Sequence, residues 1–322
     1  MRVLVTGATG YVGSRLVPAL LAEGHDVVAA ARDLTALDRF AWGDRVERRH
    51  FDVEDTVSVH LAVRGVDAVV YLVHSMASGE FLKRDREAAD YVADACEYAG
   101  VSRIVYLSGL VPPGHLSDHL RSRLEVEDIL LASGVPTTVL RAAMVIGAGS
   151  TSFELMRRVS ERLPLTPVPV WMLRDIQPVA VEDVVHLIAR ALEGEPRNRA
   201  YDVGGDEVLS YRALLERFAG LAGLERQQVL VPVAPEWAVG EAVALLSGLP
   251  RSTVRALVRS LAHDMVCTED DVRRELSPGH RFLSVDEAIT RSLAGQTHAT
   301  EVDGDVQGQA ASDPDWVGST RD

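Results

Sequence analysis

At the start of the chain a short β-branched run, Arg2–Thr6, gives way to Gly7-Ala8-Thr9-Gly10-Tyr11-Val12-Gly13. No other feature limits the fold as strongly. From Tyr11 to Glu23, Val12, Leu16, Leu20 and Leu21 keep the spacing of one helix face, and Gly24 supplies a stop. Between a strand and a helix each glycine has a separate duty. Gly7 permits the tight turn, Gly10 lets backbone N–H groups approach a pyrophosphate, and Gly13 lets the helix pack close to the strand. The free donors of the helix N-terminus then face the phosphates. The string is a dinucleotide-binding signature, with Thr9, Tyr11 and Val12 expected beside the nucleotide. Because the first apolar run already belongs to this motif, no export signal is expected, and a cytoplasmic location is.

From Met1 to about Ala148 short β-branched runs alternate with helical-period segments. That pattern predicts an α/β fold, a doubly wound parallel sheet of the Rossmann type over residues 1–148. Strands are predicted at Arg2–Thr6, Asp26–Ala31, Val46–Phe51, Ala68–Val73, Arg103–Ser108 and Thr137–Arg141. After Gly147 the prolines at 164, 167, 169 and 178 interrupt the pattern, and helices are predicted at Val181–Leu192 and Tyr211–Ala222. A smaller substrate lobe is expected over residues 149–295. Positions 184, 185, 188, 189 and 192 line one helix face, so the first of these helices should return to the core and interweave the two. From Gln296 to Asp322 hydrophobic periodicity vanishes, and an acidic, disordered tail is expected, with Trp316 the one residue suited to docking.

The 322 residues carry a net charge of −14, which argues against a grip on phosphate backbones, so nucleic acid is not an expected partner. The tail holds Glu301, Asp303, Asp305, Asp313, Asp315 and Asp322 against Arg321 alone. Lys83 is the only lysine, which removes every lysine-based mechanism except one at that position. Cys96 and Cys267 offer neither a metal spacing nor a disulfide framework, and no metal site is expected. The apolar stretch Trp237 to Val258 is interrupted by Glu241, Arg251 and Arg255, short of the ~20 unbroken residues of a membrane span. It reads as buried or amphipathic helix, and no transmembrane segment is expected.

The second strand closes on Ala30-Ala31-Arg32, where an acid would accept from ribose hydroxyls and a cation would pair with a 2′-phosphate. Arg32 favours NADP(H) over NAD(H). Stacking on adenine or standing in solvent are its alternatives, and Asp33 follows one place later. After the third strand, Asp52 and Val53 are placed to meet the adenine, although a turn aspartate is common in its own right.

Further stretches resemble the short-chain dehydrogenase/reductase superfamily, specifically its extended and atypical NmrA-like branches. Tyr71-Leu72-Val73-His74-Ser75 is similar to the fourth-strand segment lining the cofactor, and Val105-Tyr106-Leu107-Ser108 to the fifth strand ending in the catalytic serine. Arg141-Ala142-Ala143-Met144-Val145-Ile146-Gly147 resembles the loop that covers nicotinamide, which implies cofactor contacts by Ala142 and Met144. Gln177 to Val184 resembles a signature whose acid, here Asp183, helps anchor a helix. The resemblance covers about residues 2–290. The run from Tyr71 to Met76 also resembles a subgroup related to an accessory subunit of respiratory complex I.

The superfamily's reductases use a tyrosine and a lysine one helical turn later. No Tyr-x-x-x-Lys exists here. His119 takes the tyrosine position and Arg123 the lysine position, at i and i+4 on one helix face. The resemblance implies Ser108 as donor to a carbonyl oxygen, His119 as proton carrier and Arg123 as the grip on the nicotinamide ribose; the alternative is that all three are remnants. Arg121, Arg123 and the helix N-terminus should keep His119 neutral unless Glu125 or a substrate carboxylate restores its proton. His74 is the second histidine candidate. Three functions stay open: an NADP(H)-dependent oxidoreductase for a small carbonyl or alcohol, a non-catalytic NADPH-binding sensor or assembly factor with a protein partner, and a sugar-nucleotide epimerase or dehydratase. Phe153, Met156, Trp171, Met172 and Trp237 suggest an apolar pocket, or else core.

Overall fold

The structure, a computed structural model, describes residues 1–74, 81–114, 116–294 and 305–318. Its centre is a seven-stranded parallel sheet: β1 (Arg2–Thr6), β2 (Asp26–Ala31), β3 (Glu47–His50), β4 (Ala68–Tyr71), β5 (Arg103–Gly109), β6 (Thr137–Ala142) and β7 (Arg199–Val203). The spatial order is β7-β6-β5-β4-β1-β2-β3, so the winding reverses between β1 and β4. The six predicted strands are all present, within two residues of their predicted ends. Strand β7 comes from beyond residue 148 and pairs with β6 from Arg199↔Thr138 to Val203↔Ala142. The second part of the chain thus completes the sheet of the first.

Strands buried on both faces need apolar side chains on both, which is why β1 reads Val-Leu-Val and β4 Ala-Val-Val rather than alternating with polar residues. One face is covered by α1 (Tyr11–Ala22) and α6 (Val181–Ala191), joined around Leu16, Leu20, Val184 and Ile188. The other is covered by α2 (Thr56–Ala62), α3 (Phe81–Ala99) and α4 (Asp118–Ala132), packed through Val59, Val92, Cys96, Val126 and Leu130. Pro18 inside α1 has no N–H to give the Ser14 carbonyl. Trp42, fully buried, makes good the loss: its Nε1 donates to the Ser14 oxygen at 3.2 Å.

The lobe gathers α5 (Thr151–Arg162), α7 (Tyr211–Leu221), α8 (Glu236–Ser247), α9 (Arg251–Ser260) and the helix Val285–Leu293. Where one helix was expected over Trp237 to Val258 there are two. Gly248 adopts φ +68° as a left-handed cap and Pro250 follows, a combination that ends a helix. The strands Leu165–Pro169 and Gln227–Val231 pair in parallel as a separate ribbon on the lobe.

Residues 305–318 belong to the stretch expected to be disordered, and they pack as a strap instead. Gln307 is fully buried, its Nε2 donating to the carbonyl of Ile146 at 2.7 Å and to Ser292 Oγ at 3.0 Å. Asp313 receives both terminal nitrogens of Arg15, at 3.1 and 2.8 Å. Trp316 packs at the edge of the Leu155, Ala244 and Val254 cluster. Polar partners distant in sequence, not a hydrophobic stripe, hold this segment, so periodicity does not reveal it. No described helix is long and apolar enough to cross a membrane.

Candidate functional site

The C-terminal ends of β1 and β4 flank the crevice where the sheet order reverses, the general binding position in such sheets. Thr6 shapes it: its Oγ1 donates to Val70 O at 3.2 Å and accepts from Leu72 N at 3.1 Å, tying the strands at their ends. Gly7 follows at φ +64°, a left-handed turn that a side chain would strain. At Gly13 a Cβ would stand 2.3 Å from the Gly7 carbonyl oxygen, so only glycine lets α1 sit this close. The first N–H groups of α1 have no carbonyl partner, and the cradle fits a pyrophosphate. Tyr11 turns its phenol into the interior against Gly147, where it finds no hydrogen-bond partner and burial raises its pKa.

At the end of β2 Arg32 is exposed and makes no hydrogen bond or ion pair through its side chain among the described residues. Its carbonyl is held at 3.0 Å by His50 Nδ1, which fixes the backbone at that corner. Asp33 is engaged elsewhere: its Oδ1 accepts from Thr35 N at 2.9 Å and Thr35 Oγ1 at 2.7 Å, and these bonds lower its pKa. Asp52 accepts from Glu54 N at 3.0 Å, a turn contact, with its second oxygen uncommitted. Val53 and Val73 pack on the α2–α3 side of the sheet, and neither they nor Thr9, Arg32 and Asp52 line the central cavity. Arg39 was not anticipated. The 3₁₀ turn Leu34–Leu37 brings its Nη2 to within 2.9 Å of the Thr9 carbonyl, beside the glycine loop. A second arginine soon after Arg32 is the only sequence signal for it.

On the other side of the loop Gly7, Gly10, Tyr11, Val12, Gly13, Leu72, His74, Ser108, His119, Arg123, Ala142 and Met144 line one cavity of about 580 Å³. Ser108 is buried at the end of β5, and its Oγ has no partner with hydrogen-bond geometry. Ser117 caps α4, which places His119 in the first turn and Arg123 one turn on. Arg123 Nη1 donates to the Leu107 carbonyl at 2.9 Å, while its Nε is buried without a partner. Burial, and then Arg123, lower His119 to a pKa of about 4. His74 is held well below the ordinary histidine value, by Arg123 above all, then by desolvation and His119. Arg121 plays no part, because it turns out to Asp118 at 3.1 Å. Glu125 cannot return a proton to His119, because it pairs with Arg86 at 2.9 Å.

Behind Ser108 lies a buried polar group that the sequence did not announce. Tyr71 and Tyr106 face each other with ring centroids 5.8 Å apart, and Ser122 Oγ donates to Asp85 Oδ2 at 2.7 Å. Burial raises the pKa of both phenols, while Arg123 pulls each partly back. The loop after β6 is fixed by Leu110 N to Ala142 O at 3.1 Å and Val179 N to Met144 O at 3.0 Å. Asp183 acts as the anchor expected of it, accepting from Leu283 N at 3.0 Å and His280 Nε2 at 2.8 Å just before the helix Val285–Leu293.

A family model described as NAD(P)H-binding matches residues 7–171, which takes in the glycine cradle, Ser108, His119 and the loop after β6. The chain belongs to the NAD(P)H-binding family. In fold it is similar to the Citrobacter sp. triphenylmethane reductase complexed with NADP(H), on which it superposes with a TM-score of 0.72, over 91% of this chain and 100% of that one, at 19% identity. In sequence it is 27% identical over 263 residues to sterol demethylase protein B of Methylococcus capsulatus, covering 72% of this chain and 78% of that protein. An uncharacterized Mycobacterium tuberculosis protein is 29% identical over 192 residues, 60% of this chain and 20% of that much longer protein.

From Ser108, His119 and Arg123 the cavity runs on into the lobe between α5, α7, α8 and α9. Phe153 and Trp171, expected in a pocket or in core, belong to apolar clusters, and Trp237 is exposed; Met156 and Met172 do line the cavity.

Proposed function

We propose that the protein is an NADP(H)-dependent oxidoreductase interconverting an apolar alcohol and its ketone or aldehyde. One observation carries this reading: the glycine cradle, the unpartnered Ser108 hydroxyl and a largely apolar chamber form a single continuous cavity. A non-catalytic nucleotide sensor has no need of such a chamber. A sugar nucleotide would need cations for its diphosphate, yet Arg123 is the only arginine or lysine lining the cavity among the described residues.

When bound, the nicotinamide supplies or accepts the hydride. Ser108 Oγ donates to the substrate oxygen, with the Tyr106 phenol beside it and no carbonyl or carboxylate of the protein claiming its proton. His119 is neutral well above pH 4, so it accepts the hydroxyl proton as an alcohol is oxidised. In the reverse direction His119 takes a proton from solvent and, as imidazolium, returns it to the substrate oxygen as the alcohol forms. Arg123 takes the lysine position, lining the cavity with its Nη1 held by the Leu107 carbonyl. Arg32, its side chain without a partner among the described residues and with Asp33 turned to Thr35, is the 2′-phosphate contact, which makes NADP(H) the preferred nucleotide. Arg39 stands as a second cation beside the loop. The triphenylmethane reductase that shares the fold is itself an NADP(H) complex.

The test is NADPH consumption with ketones of increasing apolar bulk. The wild type should turn over bulky members, and Ser108→Ala should lower turnover by about 10²–10³, the usual effect of deleting one such donor. Tight NADPH binding with no turnover of any member would favour the sensor instead.

A further inference from the structure

Among the described residues, eight of the fourteen large hydrophobic side chains left exposed fall in two stretches, 165–173 and 229–245. These stretches adjoin in space, because Leu165–Pro169 pairs with Gln227–Val231 and α8 follows that ribbon. The most exposed of these eight are Val233 at 83%, Leu245 at 78% and Trp237 at 72%. The same elements form the chamber wall, through Pro167, Val231, Ala234, Val239, Val243 and Leu246. Helix α8 thus turns Val239, Val243 and Leu246 to the chamber, Ala244 to the lobe core, and Trp237 and Leu245 outward. A surface helix that buries one apolar side and still shows Trp237 and Leu245 on its outer side is one whose outer face is covered by something other than water.

Charge points to what covers it. The chain as a whole is strongly acidic, with a net charge of −14, yet from Gln227 to Ser260 three arginines stand against two glutamates. Glu241, on the outer side of α8, is bonded to Arg255 and faces Arg251 at 3.8 Å. Arg259 is exposed and has no ion pair among the described residues. Arg226 and Arg162 flank the ribbon and α8, bound to backbone carbonyls rather than acids. An apolar face with a local arginine excess on an otherwise acidic protein matches the chemistry of an anionic bilayer surface.

We propose that the face made by the ribbon Leu165–Pro169/Gln227–Val231 and helix α8 docks on anionic phospholipid bilayers and that a water-insoluble lipid alcohol or ketone enters the chamber through it. The lipid class rests on the oxidoreductase reading above; the docking does not. Trp237, Val233 and Leu245 enter the headgroup boundary, and the arginines of α9 meet the headgroups. The substrate passes from one apolar phase to another, and its single oxygen finds Ser108 at the far end.

The test is co-sedimentation of the full chain with phosphatidylcholine vesicles, with and without phosphatidylglycerol. Binding should be stronger to the anionic vesicles and weaken with salt. The double variant Trp237→Ser, Leu245→Ser should bind about tenfold or more weakly, with NADPH affinity unchanged as the check on folding. Absence of binding to either vesicle, or binding indifferent to the double variant, overturns the proposal. So does a dimer in gel filtration that the double variant abolishes while vesicles are ignored, which would give the face to a second copy. NADPH turnover is read separately, so an inactive protein that still binds vesicles refutes the oxidoreductase reading and not the docking.

Discussion

Replacing Asp313 with alanine should destabilise the protein far more than a tail residue ordinarily would. Its carboxylate and the Arg15 guanidinium are 6% and 5% exposed and meet at 2.8 Å. Removing one member of a buried pair leaves the other charge without compensation, at a cost of about 3–5 kcal/mol. Arg15 keeps part of its coordination, since Nη2 also donates to Ala148 O at 2.6 Å and Nε to Val306 O at 3.2 Å, so the lower end applies. With an unfolding entropy of roughly 0.7 kcal/mol/K for a chain of this length, the midpoint should fall by about 4 °C. Calorimetry of the wild type and variant measures this, and urea titration supplies the free energy independently. The double change Arg15→Met, Asp313→Leu should recover only part of the loss, because it leaves no buried charge but strands the carbonyls of Ala148, Val306 and Gly308. A single-variant loss below about 1 kcal/mol would refute the reasoning, for it would show that the strap adds no more than an exposed ion pair does.

Further outcomes follow from the same contacts. Ending the chain at Ala294 removes Gln307 as well as Asp313, so the midpoint should fall at least as far as in Asp313→Ala; an unchanged thermal scan would return the tail to disorder. Arg32→Ala should weaken NADPH by about 10- to 100-fold, the loss of a charge-assisted phosphate contact, with NADH nearly unaffected; fluorescence titration of both nucleotides decides it. His119 is lowered to about 4, so alcohol oxidation should be nearly independent of pH from about 6 to 8 and fall only towards 4. In stability terms the unfolded chain binds the proton more readily, so His119 favours the folded state above the ordinary value near 6.5 and loses that contribution as pH falls towards about 4. A rate rising through a pKa of about 8 would assign the essential group elsewhere.

The inner strands β1, β4, β5 and β6 were legible because a sheet buried on both faces writes itself as short apolar, β-branched-rich runs, whereas the edge strand β3 reads Glu-Arg-Arg-His and lies half exposed. The glycine loop was legible for a local reason too: the Gly13 Cβ would collide with Gly7, six residues away. Arg39 was not, because its place beside Thr9 depends on how a short 3₁₀ turn folds back, not on any period. The Tyr71, Tyr106, Asp85 and Ser122 group joins four elements, and only their packing reveals it. The strap was misread for the same reason, since Gln307 and Asp313 look like solvated polar residues until Ile146, Ser292 and Arg15 surround them. In α8 and α9 the break was visible in Gly248 and Pro250, but not the chamber the two helices enclose.

The central claim is that hydride passes between a bound nicotinamide and an apolar substrate beside Ser108. Its most direct test is isotopic: NADPH deuterated at the reactive carbon of its nicotinamide, mixed with the protein and a bulky apolar ketone, followed by mass spectrometry of the product. The alcohol should carry one deuterium on its carbinol carbon, and Ser108→Ala should slow its formation without abolishing nucleotide binding. Deuterium retained wholly in the nucleotide, with NADPH bound tightly and every ketone recovered unchanged, would contradict the claim.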